Sequence, residues 1–377
     1  MLVWEKANVT PACRVAIAGD FLPAGGLELP PGKTWKGVGD GFNKFFAKSD
    51  VTLANLECCL DGGTAKPVTK MGLGDSFAAS SEALEFFSSP GVKVIGLANN
   101  HICDFGKDGI ASTKARVEAR GLISLGLTCN LREPPDVCAI DTSAGPRIGI
   151  WAAARHLAEL ATTKKSGVEP ATLQRATQAL QHLRTKAADL TIAFLHAGLE
   201  RTNRPDPDDV ALMDELADLG FDVVTACHSH RIGGYRCIER SAGNPAFCFY
   251  GLGSITSGVM YSDLEREGLV VLVDTDAAGK LARVEVHPVH LEGQGWGRIP
   301  WLGDAHKILK RFMELSEEME SGAYKRAFYQ DLKEGLSRSA FQSVRAAMRK
   351  GGIRGLASKL GRIRVRHLTR FLHSELS

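Results

Sequence analysis

Five short stretches of this chain place metal-ligating types of side chain at the ends of apolar, β-branched runs. AGD ends in Asp20, NLE carries Asn55 and Glu57, LANNH brings Asn99, Asn100 and His101, HAGLE holds His196 and Glu200, and CHSH supplies His228 and His230. A mixture of carboxylate, amide and imidazole suits a borderline divalent cation, Mn, Fe or Zn, better than the thiolate cage of structural zinc. A carboxylate such as Glu57 can bridge two cations, and two cations roughly 3.5 to 4 Å apart activate a water while clamping a leaving oxygen. The chemistry on offer is hydrolysis of a phosphoester or a related bond. Taken singly, each residue has an ordinary explanation: Asp20 as a turn or cap, His196 as a hydrogen-bonded core histidine. Recurrence at strand end after strand end is what argues for a site.

The elements that must position these groups are legible as alternation. Residues 14–20, 50–57, 92–100, 147–154, 190–198, 221–230, 246–255 and 268–276 read as strands, and helical patterns follow residues 80, 105, 170 and 205. Such alternation predicts an α/β domain with buried strands covered by helices, and the later strands, which follow one another directly, predict a mixed or two-sheet architecture. Ligands of open α/β sheets bind outside the carboxyl ends of the strands, where these polar residues fall. His228 and His230, two apart in an extended segment, are expected to point to one side. After residue 298 the strand signals stop and helical patterns take over, which sets a boundary between 12–297 and a helical extension, 298–377.

Of the 377 residues, 44% are hydrophobic and 24% charged, the balance of an ordinary globular protein. No apolar run approaches the roughly 20 residues that cross a bilayer, and the charged N-terminus lacks a secretory pattern, so the expected location is the cytoplasm, with peripheral membrane contact allowed. Nine cysteines without a CxxC pair fit buried, reduced thiols and neither a zinc knuckle nor a disulfide framework. Charge is uneven: residues 338–377 carry a net +9 and the other 337 a net −6. With apolar residues at helical spacing between the arginines, that segment reads as a basic amphipathic helix, either packed on the acidic body or touching an anionic membrane or polymer. Nucleic acid is the weaker partner reading.

Taken together, AGD, NLE, LANNHxxDFGxxG (97–109), HxGxE (196–200) and HxH (228–230) resemble, in order and approximate spacing, the motifs of the CapA family, named for capsule and poly-gamma-glutamate synthesis, over about residues 12–290. The resemblance implies a calcineurin-like metallophosphoesterase sandwich with α/β/β/α layering and one or two divalent cations. It implies Asp20 and His230 as ligands of a first cation, Glu57 as the bridge, and Asn100, His196 and His228 as ligands of a second. His101 looks like the general acid, a role that suits imidazole near neutral pH. Asp104 would cap the following helix or orient His101. Several positions depart from the pattern. Leu22 stands where ordinary members of the superfamily place a first-cation histidine, and Ala197, Ser229 and Ser254 replace bulkier or amide residues near the mouth.

The leading expectation is therefore a metal-dependent hydrolase acting on a phosphoester or amide-type bond of a small-molecule, peptide or anionic polymer substrate. Peptide epimerisation on the same site, with Glu200 or His101 as base, and a non-catalytic polymer-binding role in capsule synthesis or export are the alternatives. A kinase reading of the DFG at 104–106 lacks an HRD loop, and PPGKT at 30–34 lacks the phosphate-loop glycine spacing.

Overall fold

The structure, a computed structural model, describes residues 1–60, 66–67, 76–155, 160–240 and 244–333. The basic segment 338–377 lies outside the described residues. Two sheets stack face to face. In the larger, the strands Cys13–Leu22, Val51–Leu56, Val92–Gly96 and Ile123–Leu125 run parallel, and Glu267–Thr275 and Leu281–Glu292 join it antiparallel. The smaller has Arg147–Ala154, Leu190–His196, Val223–Cys227 and Ala246–Phe249 in parallel, with Val137–Asp141 and Tyr235–Ile238 at its antiparallel edges.

Strand alternation shows which face meets what. Ile148, Ile150 and Ala152 point into the core between the sheets, as do Ile192, Phe194, Phe247 and Phe249. Their neighbours Trp151, Ala153, Ala193, Leu195 and Val224 pack outward with Ala176, Leu180 and Leu183 of the helix Leu173–Thr185 and Met213 and Leu216 of the helix Pro207–Leu219. Apolar residues on both faces are what a parallel sheet sandwiched between layers requires. On the far side of the larger sheet, Phe21 meets Trp35, Phe86 and Phe87 from short helical turns, and the helix Gly106–Ala119 packs nearby. The α/β two-sheet expectation holds.

Three local expectations change. Residues 246–255 are not one strand: Ala246–Phe249 belongs to the smaller sheet and Ser254–Ser257 to the larger, with Gly253 between them at φ +63°. A Cβ on Gly253 would lie 2.3 Å from the Glu267 carbonyl oxygen, so the chain can cross between the sheets only where it has no side chain. The segment after residue 80 is a 3-10 helix, Ser81–Phe87, rather than an α-helix. The strand Leu281–Glu292 went unrecognised because its alternation, RVEVHPVH, interleaves charges with valines on a strand next to the sheet's edge.

The helix Leu302–Ser321, which begins just past residue 298, joins the body of the molecule. Ile308, Phe312 and Leu315 are buried in the main core, and Phe312 stacks on Tyr235 at 5.4 Å. Its Glu318 takes a two-pronged pair from Arg204, both contacts at 2.7 Å, which braces the loop that follows His196. Among the described residues, no helix is long and apolar enough to cross a membrane.

Candidate metal centre

Asp20 lies inside its strand rather than at the tip. The Cys13–Leu22 strand runs two residues further, and its pairing with Val51–Leu56 shifts register between Ile17 and Asp20. Gly19 makes this possible, since a Cβ there would sit 2.0 Å from the Gly253 carbonyl oxygen. The Asp20 N–H then donates to that carbonyl at 3.0 Å and the side chain turns into the space between the sheets, fully buried.

Around it, two groups of ligand atoms converge. Asp20, Glu57 and His230 form one, and Glu57, His196 and His228 the other, with the ligand atoms of each group within 4.8 Å of one another. His230 Nδ1 is 3.4 Å from Asp20 Oδ2 and 3.6 Å from Glu57 Oε2, while His196 Nε2 is 3.4 Å from Glu57 Oε1. Asn100 Oδ1 approaches His196 Nε2 at 2.8 Å, which adds its amide to the second group. All six residues that the sequence marks as ligands meet here. Leu22 is buried in the core, so the first group has three side-chain donors among the described residues.

The fit to divalent cations rests on Glu57. Its carboxylate is fully buried, and neither oxygen accepts a hydrogen bond. Such a group is costly unless something positive meets it. Burial, with Asp20 nearby, pushes its carboxyl up. Burial opposes charge on His230, yet Glu57 and Asp20 prevail and raise its imidazole to about 10, so a proton supplies the counter-charge that a cation would bring. Burial and the neighbouring histidines hold His196 well below its ordinary value, the neutral form a metal ligand needs.

His228 and His230 reach the centre by a route other than a shared strand face. The strand ends at Cys227, and His228 and His230 adopt φ of +104° and +55°. Positive φ is rare for residues with a side chain and persists where the surroundings enforce it. Here the His228 N–H donates to Asp20 Oδ2 at 3.0 Å, which bends the turn inward.

Next to the ligands stands a dyad. His101 Nδ1 lies 2.8 Å from Asp104 Oδ2, and that oxygen also accepts the Phe77 N–H at 2.7 Å. Asp104 therefore orients His101. The capping alternative fails, because Phe105 is the N-cap of the Gly106–Ala119 helix and no side chain caps it. Glu200 lies on the solvent-accessible loop past His196, outside both groups of ligands.

Sequence reasoning marked Asn55 as a ligand type without seeing its supporting role, and it missed the supporting roles of Ser254 and Phe77. Asn55 Nδ2 donates to Asp20 Oδ1 at 2.8 Å and lies 3.3 Å from His196 Nδ1. Ser254, noted only as a departure from a family pattern, places Oγ 3.3 Å from His230 Nδ1. Phe77 packs its ring 4.5 Å from the His101 ring, and no spacing signal marks it, since it belongs to none of the polar strand-end segments.

Fold and donor set thus define an α/β sandwich protein with a centre suited to divalent cations at its strand ends. The chain belongs to the family of the bacterial capsule synthesis protein PGA_cap, whose family model matches residues 14–258. Similar curated proteins are the capsule biosynthesis protein CapA of Bacillus anthracis, 23% identical over 56% of this chain and 51% of that one, and a probable polyglutamine synthesis accessory protein of Mycobacterium tuberculosis, 27% identical over 64% of this chain and 66% of that one. The chain thus spans between half and two thirds of the length of these relatives. Among solved structures, a 5'-nucleotidase precursor from Thermus thermophilus aligns at 14% identity and TM-score 0.44, covering 80% of this chain and 58% of that one. The calcineurin-like phosphoesterase YfkN from Bacillus subtilis aligns at 11% identity and TM-score 0.45, covering 82% of this chain and 99% of that one.

Proposed function

We propose that this protein is a metal-dependent hydrolase of capsule or polyglutamate synthesis, with Asp20, Glu57 and His230 holding one cation and Glu57, Asn100, His196 and His228 a second. Bound cations would supply an activated water and electrophilic stabilisation of the leaving oxygen. The chain's own residues do the rest. Glu57 shares its carboxylate between the two groups, the buried walls keep the donors dry, and His101, aligned by Asp104, delivers a proton to the departing group. The single observation that carries this reading is the fully buried, hydrogen-bond-free Glu57 carboxylate between His230 on one side and His196 and His228 on the other.

The test is metal analysis of the purified protein followed by a screen with a phosphomonoester, a phosphodiester and a peptide amide. Bound Mn, Fe or Zn, with turnover lost in His196→Ala and His228→Ala, is the expected result. A protein that takes up no cation refutes it, and solvent deuterium entering a peptide without cleavage would replace hydrolysis by epimerisation.

A further inference from the structure

A groove of about 570 Å³ opens beside the metal centre, lined by Gly25, Gly26, Phe77, Val259, Met260 and Tyr261 among others. Phe77 ties it to the chemistry, because the same residue packs on His101 and donates to Asp104. Its floor is kept open by backbone without side chains. Gly25 and Gly26 adopt φ of +74° and +87°, and a Cβ on Gly25 would strike Val259 at 2.4 Å. At the rim, the Arg201 guanidinium carbon lies over the Tyr261 ring, 3.6 Å from its centroid. Arg201 is also fixed to the site at its backbone, where its N–H donates to the Ser229 carbonyl at 2.8 Å, between His228 and His230.

Stacking on an aromatic face holds a guanidinium in one plane and leaves its N–H edge free, which is the arrangement that pairs with a planar carboxylate through two parallel hydrogen bonds. Among the described residues Arg201 forms no ion pair, so that edge is available. Among the described residues the groove lining contains no lysine or arginine, and Arg201 at its rim offers one positive charge, which matches a carboxylate and would leave half the charge of a dianionic phosphate unmet. Phe77, Val259 and Met260 suit the methylenes that separate a side-chain carboxylate from its backbone.

We infer that Arg201, held by Tyr261, is a specificity-determining residue that reads a carboxylate on the substrate, with the chain between that carboxylate and the reacting bond lying in the groove beside Phe77. This rests on the hydrolase reading only in taking the groove as the approach to the metal centre.

Binding, rather than turnover, tests it. The probes are dye-labelled pentaglutamate and its uncharged counterpart pentaglutamine, titrated by fluorescence anisotropy against the full-length protein as purified. Wild type is expected to bind pentaglutamate at least 10-fold more tightly, Arg201→Ala to erase that preference with metal content unchanged, and Arg201→Lys to keep only part of it. Equal affinity of wild type for the two peptides overturns the inference, as does a preference that survives Arg201→Ala. So does inorganic phosphate that displaces pentaglutamate through Arg201 at far lower concentration than acetate does. A protein that shows the Arg201-dependent preference but hydrolyses nothing would retain this inference and lose the hydrolase reading.

Discussion

The side-chain oxygen of Asn99 accepts the backbone N–H of His101 at 3.1 Å and that of Ile102 at 2.9 Å. Its amide donates to Asn55 Oδ1 and to the Leu56 carbonyl. One fully buried side chain thereby fastens the turn carrying Asn100 and His101 to the strand Val51–Leu56, which leads directly into Glu57. Asn99→Ala leaves buried backbone donors without partners, at a cost of about 3 kcal/mol. Urea denaturation should show that loss, and bound metal should fall with it because Asn100 moves along with the turn.

Glu57 is the residue whose removal should separate cation binding from folding. Glu57→Gln is expected to abolish metal uptake at both groups of ligands, as read by elemental analysis. Burial, with Asp20 nearby, raises the pKa of this carboxyl, so its surroundings disfavour the charge and a neutral replacement removes that cost. The variant should therefore melt no lower than wild type stripped with chelator, and it should gain nothing from added Zn or Mn.

His101 belongs to neither group of metal ligands, and its role predicts a different signature. His101→Ala should retain metal while lowering kcat by roughly 10² to 10⁴, the usual worth of a positioned acid. Asp104→Asn should also lower kcat with metal retained, since the carboxylate that aligns the imidazole is gone. Equal metal content and unchanged kcat in both variants would remove His101 from the chemistry.

Lys93 provides a pH dependence remote from the centre. It is 3% exposed, its ammonium donates to the Gly91 carbonyl at 3.2 Å, and burial pulls it down to about 8. Between pH 8 and about 10.4, the ordinary lysine value, the unfolded chain holds this proton and the folded chain does not. Stability contributed by this residue therefore rises with pH across that window. Lys93→Met should abolish the rise, measured by denaturant midpoints at pH 7.5, 9 and 10.

The helix Leu302–Ser321 makes truncation informative. Cutting the chain after Arg298 would expose the pocket that Phe312 and Leu315 fill and release Arg204 from Glu318. Circular dichroism and gel filtration should report a loss of cooperative folding or aggregation.

What the sequence determined by itself was the inventory of the site and the frame that carries it. Apolar β-branched runs marked the buried strands, and the polar residues that end them, Asn55, Asn99, His101 and Glu200 among them, were expected to gather where those strands end; the family resemblance then singled out Asp20, Glu57, Asn100, His196, His228 and His230 as the donor set. Only the tertiary structure decided how they meet. Asp20 enters through a register shift beside Gly19 and Gly253, and His228 and His230 turn inward at positive φ where Asp20 holds the His228 N–H. Asn55, Ser254 and Phe77 became partners across long stretches of chain. Local pattern encodes which face a residue occupies through the two-residue and 3.6-residue periods, but a contact between distant segments is set by packing between sheets, and no period in the sequence records it.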